Sequence, residues 1–127
     1  MKELKLYYCE HCKKVVEVVV DTAVPLVCCG QKMTEVKANS TEAAHEKHLP
    51  VIEKDGDKVT VKVSTVEHPM LEEHYITAIW LQTEKALYKK ALVPGEKPEA
   101  VFAVSSDDKV LAAYEYCNLH GLWKTEA

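Results

Sequence analysis

Residues 110–123, VLAAYEYCNLHGLW, join a strand-forming segment to a candidate metal-binding turn near the end of the chain. The apolar and aromatic side chains that precede Cys117 predict a β-strand. Cys117 and His120 follow at a separation of three residues, and Gly121 leaves the backbone behind them free to turn. A thiolate and an imidazole at this spacing can bind one metal ion. The pair is half of a metal site, so further ligands must come from elsewhere in the chain.

Histidines beside predicted strand ends supply these ligands. His48 lies shortly before Pro50, His68 lies directly before Pro69, and His74 precedes a strongly β-forming run. A single histidine is usually a surface or core residue, but the shared placement of these three favours ligation. Together with Cys117 and His120 they give four imidazoles and one thiolate, one ligand more than a structural zinc site takes. Such a set suits an iron that keeps one position open for a small molecule. His45, one helical turn from His48, is left outside the set.

The other four cysteines form two pairs near the N-terminus, Cys9 with Cys12 and Cys28 with Cys29. Four thiolates can close a tetrahedral site for iron or zinc. Consecutive side chains of an extended backbone point to opposite sides, so the chain must turn sharply at the second pair. We therefore expect a distorted tetrahedral site, with a structural zinc as the alternative and a disulfide disfavoured. His11 is expected to be exposed and not to bind the metal.

These motifs resemble the desulfoferrodoxin family, the two-iron superoxide reductases. The matching residues are the four N-terminal cysteines and the segments Glu46-Lys47-His48, Glu67-His68-Pro69-Met70, His74-Tyr75-Ile76 and Cys117-Asn118-Leu119-His120-Gly121-Leu122-Trp123-Lys124. The resemblance implies one iron held by Cys9, Cys12, Cys28 and Cys29, as in desulforedoxin. It implies a second iron held equatorially by His48, His68, His74 and His120 and axially by Cys117. Lys13 departs from the family pattern, because many such cysteine knuckles have glycine there.

The activity implied by this resemblance is that of an oxidoreductase, a superoxide reductase. It would reduce superoxide to hydrogen peroxide with one electron and two protons, without dismutation. Lys47 would attract superoxide and organise water for protonation, and Glu46 would bind the open position of the oxidised iron. Backbone N–H groups of Leu119 and His120 are expected to donate to the Cys117 sulfur.

The resemblance also implies partners. A homodimer and an external electron donor such as rubredoxin are expected, with superoxide detoxification as the role. The four-cysteine iron would either relay electrons to the second centre or mainly fold its own module, since a bound metal can supply roughly 10–16 kcal/mol in small zinc peptides.

Strand-forming segments dominate the whole chain and predict an all-β fold in two parts. Residues 1–37 are expected to form a small desulforedoxin-like metal-binding module. Residues 38–127 are expected to form an immunoglobulin-like antiparallel β-sandwich of about seven strands. A polar break at residues 38–42 separates them, and Asn39 or Ser40 is expected to cap a helical turn over residues 41–45.

Composition excludes several classes of function. The 127 residues include no arginine and carry a net charge of −4, so a basic surface for nucleic acid is not expected. The absence of any run of eighteen apolar residues argues against a membrane span. Charged residues near the N-terminus argue against a signal peptide, and a cytoplasmic location is expected. Clustered cysteines in a reducing compartment point to metal sites.

Two other classes of protein remain as alternatives. A copper electron carrier would also use a β-sandwich, two histidines and a late cysteine, but it usually needs a methionine after the last histidine. Here Met70 lies upstream of His120. A zinc-ribbon interaction module would explain residues 9–29 and leave the histidine set unexplained. Metal analysis distinguishes the three classes.

Overall fold

The computed structural model describes residues 3–127. Contacts within the chain divide it into two compact units, residues 3–37 and residues 38–127. Strands dominate both units, and the regular helix in the described part of the chain is a single turn, so the predicted all-β class is confirmed. Among these residues no helix is long and apolar enough to cross a membrane.

The first unit is built around a central strand, β1 (Leu6–Tyr8). It pairs antiparallel with β2 (Val15–Glu17) on one side and with β5 (Thr34–Glu35) on the other. A separate two-stranded ladder joins β3 (Val27–Cys28) to β4 (Gln31–Lys32). The buried apolar side chains of this unit are few, and they are Leu4, Leu6, Cys9 and Met33. A core this small cannot stabilise 35 residues unaided, since chains below about 40 residues usually need a metal or disulfides.

The valine-rich segment at residues 15–20 is longer than the strand that it forms. The strand ends at Glu17, because β1 offers only three residues for pairing. Beyond the ladder, Val19 and Val20 are both 77% exposed. Strand propensity alone did not reveal where the partner strand ends.

The second unit, residues 38–127, contains seven strands in antiparallel ladders. They are β6 (Val51–Asp55), β7 (Lys58–Lys62), β8 (Ile76–Thr83), β9 (Leu87–Ala91), β10 (Glu99–Ala103), β11 (Val110–Cys117) and β12 (Gly121–Glu126). Their order is β10-β7-β6 in one sheet and β12-β11-β8-β9 in the other. This is the immunoglobulin arrangement with the fourth strand of the unit, β9, placed beside the third strand, β8.

Side chains from both sheets meet in one core. Val59 and Val61 on β7 alternate with half-buried neighbours, which is the pattern of a strand with one face on the core. The central strands β8 and β11 are buried along most of their length. Cys117, the last residue of β11, belongs to this core, so its sulfur is held by packing on the sandwich.

The helical turn lies further along the chain than predicted. It is α1 (His45–His48), preceded by Ala44 without a side-chain cap, so the expected cap by Asn39 or Ser40 was wrong. Asn39 instead binds the edge of β12. Its Oδ1 accepts from the Lys124 N–H at 2.9 Å and its Nδ2 donates to the Lys124 carbonyl at 3.1 Å. The physical reason is that an edge strand presents unpaired backbone groups that a polar side chain can satisfy.

Candidate metal centres

The predicted histidines and Cys117 converge at one end of the sandwich. His48 closes α1, His68 and His74 lie in the loop between β7 and β8, and Cys117 ends β11. His120 follows in the turn to β12. Donor atoms of His48, His74, Cys117 and His120 all lie within 4.8 Å of one another. Separate segments of the chain thus meet at one small volume.

His68 completes this group as a near neighbour. Its Nε2 lies 3.3 Å from the His48 Nε2, and the His120 Nδ1 lies 3.1 Å from the same His48 atom. Metal–nitrogen bonds of about 2.1 Å that meet at right angles separate two nitrogens by about 3 Å. These spacings are therefore those of neighbouring ligands on one metal.

The four imidazole rings form a closed cycle. Neighbouring centroids are 4.8 Å apart for His48 and His68, 4.7 Å for His68 and His74, 5.1 Å for His74 and His120, and 4.9 Å for His120 and His48. Interplanar angles between neighbours run from 75° to 89°. Each ring is thus steeply inclined to the next, and the four centroids form a ring with sides of nearly equal length.

Two backbone carbonyls fix the orientation of the most buried rings. The His48 Nδ1 lies 2.8 Å from the Ala44 carbonyl, and the His68 Nδ1 lies 2.7 Å from the Pro69 carbonyl. In each ring the N–H therefore sits on Nδ1, and the Nε2 lone pair is free for a metal. These acceptors could not be predicted from the sequence, because any residue offers a carbonyl.

Burial favours the neutral form of His48, His68 and His74. Desolvation lowers the pKa of His68 to about 4 and also lowers the pKa of His48 and of His74. A neutral imidazole is the form that binds metals. The His74 Nε2 is buried and has no hydrogen-bond partner within residues 3–127, an orphaned atom that a metal ion would satisfy.

Cys117 brings a fully buried sulfur to the same point. Burial raises the pKa of its thiol, while hydrogen bonds from the backbone N–H groups of Leu119 and His120 lower it. These N–H groups stabilise the thiolate and reduce the electron density that it donates. The Cys117 Sγ lies 3.9 Å from the His120 Nδ1. Four nitrogens and one thiolate fit iron better than zinc or magnesium.

Glu46 and Lys47 lie on α1 next to His48, and both are exposed. The Lys47 charge contributes to the lowered pKa of His48 and of His74, after burial as the main cause, so it acts on the site electrostatically. The Glu46 carbonyl accepts hydrogen bonds from Val66 and Thr65. The Glu46 carboxylate lies outside the group of converging donor atoms found among the described residues.

The remaining candidates have structural contacts. His45 is exposed and stands edge-on to the Trp123 ring at 5.3 Å, outside the ligand group. The Met70 sulfur accepts a hydrogen bond from the Ile76 N–H at 3.3 Å, so it serves the loop. His11 is exposed, as predicted.

Trp123 supports the site in a way that the sequence did not reveal. Its fully buried indole stacks on His48 with centroids 5.0 Å apart and an interplanar angle of 26°. Its Nε1–H donates to the His120 carbonyl at 3.1 Å. One side chain thus fixes two segments that carry ligands. The position of Trp123 within the Cys117–Lys124 motif is the sequence feature that could have indicated this role.

The four N-terminal cysteines form a second group, with sulfurs within 4.8 Å of one another. The Cys12 and Cys28 sulfurs are 3.7 Å apart, and those of Cys28 and Cys29 are 3.9 Å apart. Cys9 is buried, whereas Cys12 and Cys29 are exposed. The backbone turns sharply at the second pair as predicted, with φ of 53° at Cys29 and 75° at Gly30.

The thiols of this group influence one another strongly. The Cys12 N–H, as the largest cause, lowers the pKa of Cys9 to about 6. Hydrogen bonding to Cys12 and Cys9 raises the pKa of Cys29 to about 12. Four sulfurs this close cannot all ionise without a cation, so the group fits a tetrahedral metal site.

Comparisons with known proteins agree with both sites. The family Desulfoferrodoxin matches residues 40–126, and the family Desulfoferrodoxin, N-terminal domain, matches residues 1–36. A desulfoferrodoxin from Syntrophotalea carbinolica is 47% identical over 125 residues, covering 98% of each chain. A superoxide reductase from Thermococcus kodakarensis is 40% identical over 98 residues, covering 64% of this chain and 85% of that protein.

Solved structures show the same relationship. The superoxide reductase from Treponema pallidum matches with a TM-score of 0.81 and 38% identity, covering 98% of this chain and 100% of that one. A one-iron superoxide reductase from Giardia intestinalis matches with a TM-score of 0.56 and 34% identity, covering 65% of this chain and 97% of that one.

Proposed function

The chain belongs to the desulfoferrodoxin family, and we infer that it is a superoxide reductase with two iron sites. The observation that carries this conclusion is the cycle of four imidazoles with the Cys117 sulfur among their donor atoms, together with a four-cysteine group in the first unit. The reaction is O2•− + e− + 2H+ → H2O2. It serves to detoxify superoxide under oxidative stress.

We propose that His48, His68, His74, His120 and Cys117 hold the catalytic iron. Iron bound by these residues would supply one electron to superoxide. The protein lowers the pKa of His48, His68 and His74 through burial and fixes two of these rings through the Ala44 and Pro69 carbonyls. It also directs backbone N–H groups at the Cys117 sulfur. The buried His48 and His68 shield one side of the site from water, while His74 and His120 are half-buried and border the accessible side.

Lys47 is the proposed attractor of superoxide. The chain as a whole is negative, so an anion needs a local positive field to reach the site. The exposed Lys47 ammonium provides it, and its effect on the pKa of both His48 and His74 supports its proximity to them. The same ammonium can hold water for protonation of the product.

Glu46 is the proposed carboxylate that would bind the iron in its oxidised state. It is adjacent to Lys47 on a single exposed turn, and a carboxylate is a suitable ligand for iron. Its role requires the side chain to swing towards the site, which an exposed residue at a helix start can do at low cost.

Metal analysis with an activity assay tests the function. Two irons per chain are expected, and the alternatives of a copper carrier or a zinc ribbon predict copper or zinc instead. With an excess of electron donor, each superoxide consumed should yield one hydrogen peroxide. One peroxide for every two superoxides would indicate a dismutase and reject the proposal.

The paired variants Lys47→Ile and Glu46→Ala test the two neighbouring side chains. Lys47→Ile should slow superoxide consumption by about tenfold at low ionic strength and weaken its salt dependence, because the steering charge is gone. Glu46→Ala should keep that salt dependence and change the absorption spectrum of the oxidised centre. An unchanged rate removes Lys47 from the mechanism, and identical spectra count against ligation by Glu46.

The four-cysteine iron is proposed to relay electrons, to fold its module, or both. Its exposed Cys12 and Cys29 give an external donor such as rubredoxin a point of approach. We propose residues 1–37 and 38–127 as the corresponding domains, in keeping with the contact units.

A homodimer is proposed on the basis of the family resemblance and an apolar surface on the first unit. Val20 and Val24 are 77% and 75% exposed and line a groove of about 330 Å³. A second copy would cover this surface, and the molar mass in solution tests this. A reducing cytoplasm is the proposed location, since all five cysteines are free.

A further inference from the structure

Asn118 ties the segment that carries His74 to the turn that follows Cys117. Its Oδ1 accepts a hydrogen bond from the Tyr75 N–H at 2.9 Å, and its Nδ2 donates to the Glu73 carbonyl at 3.1 Å. Its own N–H donates to the Tyr75 carbonyl at 3.1 Å. The two side-chain bonds therefore grip the peptide groups on both sides of His74.

The position of His74 depends on these backbone hydrogen bonds more than the positions of the two deeply buried ligands do. The rings of His48 and His68 are each fixed by a backbone carbonyl, whereas the His74 ring has no such acceptor within residues 3–127. The backbone of His74 bonds with Leu71 in both directions, so this part of the loop closes on itself. The position of the His74 ring thus depends on what holds its peptide groups, and Asn118 holds both.

We infer that Asn118 is a positioning residue that sets the His74 imidazole relative to the Cys117 sulfur. It acts through the backbone of His74, while its place directly after Cys117 couples one histidine ligand to the thiolate ligand. The inference rests on the proposed iron site. Asn118 thereby controls the geometry of that site, and hence its reduction potential and its retention of iron.

Two variants of Asn118 test this role. Asn118→Ala removes both side-chain hydrogen bonds, and Asn118→Asp keeps the acceptor for Tyr75 while losing the donor to Glu73. Iron release to a chelator from the catalytic site should be about tenfold faster in Asn118→Ala, the usual effect of losing a group that orients a ligand. The electron paramagnetic resonance signal of the oxidised centre and its reduction potential should shift, with Asn118→Asp between wild type and Asn118→Ala.

Asn39→Ala is the matched control. Asn39 also makes two side-chain hydrogen bonds to backbone, both to Lys124, so its loss removes the same number and kind of bonds. It should lower the stability of the sandwich without moving the resonance signal or the reduction potential.

The inference would be overturned if Asn118→Ala showed the same resonance signal, reduction potential and rate of iron release as Asn39→Ala. If Asn118→Ala does not fold, the same three measurements are made on Asn118→Asp. Wild-type values of the resonance signal, reduction potential and iron release in that variant would reject the positioning role. A wild-type protein without iron at this site would instead reject the proposed function on which the inference rests.

Discussion

Glu115 is a carboxyl group enclosed among buried side chains of the sandwich. It is fully buried on β11, and neither of its oxygens has a hydrogen-bond partner among the described residues. Burial raises the pKa of Glu115 well above its ordinary value. Burial therefore favours the protonated form of Glu115 in the folded chain relative to the unfolded chain.

The expected consequence is a loss of stability with rising pH. From the ordinary pKa of a glutamate, about 4.3, upwards the unfolded state releases this proton and the folded state keeps it, so the free energy of unfolding falls. Glu115→Gln should remove this component and stabilise the iron-loaded protein at pH 8 more than at pH 5. Urea unfolding midpoints across this range measure the difference. Parallel pH curves for the two proteins would show that Glu115 is ionised in the fold.

Lys13 shows how one residue departs from a pattern without loss of a ligand. Its φ is 70°, in the left-handed region where glycine is usual, at a cost of roughly 1–2 kcal/mol. Its ammonium donates to the Glu10 carbonyl at 2.8 Å and lies 3.2 Å from the Tyr8 hydroxyl. These contacts offset part of the strain, and the four sulfurs still converge.

At the scale of elements, a buried aspartate joins two turns of the sandwich. Asp108, in the turn before β11, accepts from the Thr83 hydroxyl at 2.7 Å and from the Lys85 N–H at 3.1 Å. Thr83 ends β8, so the turn after that strand is locked to the turn before β11. These two strands are buried along most of their length, and Cys117 lies at their far end.

Asp108→Ala should destabilise the second unit by about 1–3 kcal/mol, because buried donors lose their acceptor. Thermal unfolding of the iron-loaded protein measures this. Asp107→Ala is the control, since the Asp107 ion pair with Lys85 is exposed on both sides and should contribute less. Equal effects of the two variants would show that the buried hydrogen bonds carry no extra stability.

At the scale of the molecule, the two units differ in how they are stabilised. Residues 38–127 have a core drawn from two sheets, whereas residues 3–37 bury few apolar side chains and surround a four-cysteine site. The second unit should therefore fold without the first metal, and the first unit should not.

Cys12→Ser tests this difference and the role of the N-terminal iron. The variant should lose the four-cysteine site, and limited proteolysis should cut within residues 3–37 while residues 38–127 survive. Superoxide consumption that continues at the normal rate would favour a folding role over electron relay. His11→Ala, at an exposed position in the same knuckle, is the control. Protection of residues 3–37 in Cys12→Ser would contradict the metal dependence of this unit.

The sequence by itself determined the all-β class, the strand-rich segments and the identity of the converging residues. Alternation of apolar residues and the preference of thiolates and imidazoles for metals are local properties, and they can be read from the order of residues. Cys9, Cys12, Cys28 and Cys29 converge as expected, and so do the histidines and Cys117.

Only the tertiary structure decided how those residues are held. The carbonyls of Ala44 and Pro69, the Trp123 indole and the Asn118 side chain fix the ligands through contacts between distant segments. Asn39, which was predicted from the sequence to cap a helix, instead forms hydrogen bonds with the edge of β12. A hydrogen-bonding group takes whichever partner the fold brings within about 3 Å, and that distance is set by packing of the sheets and not by neighbours in the chain.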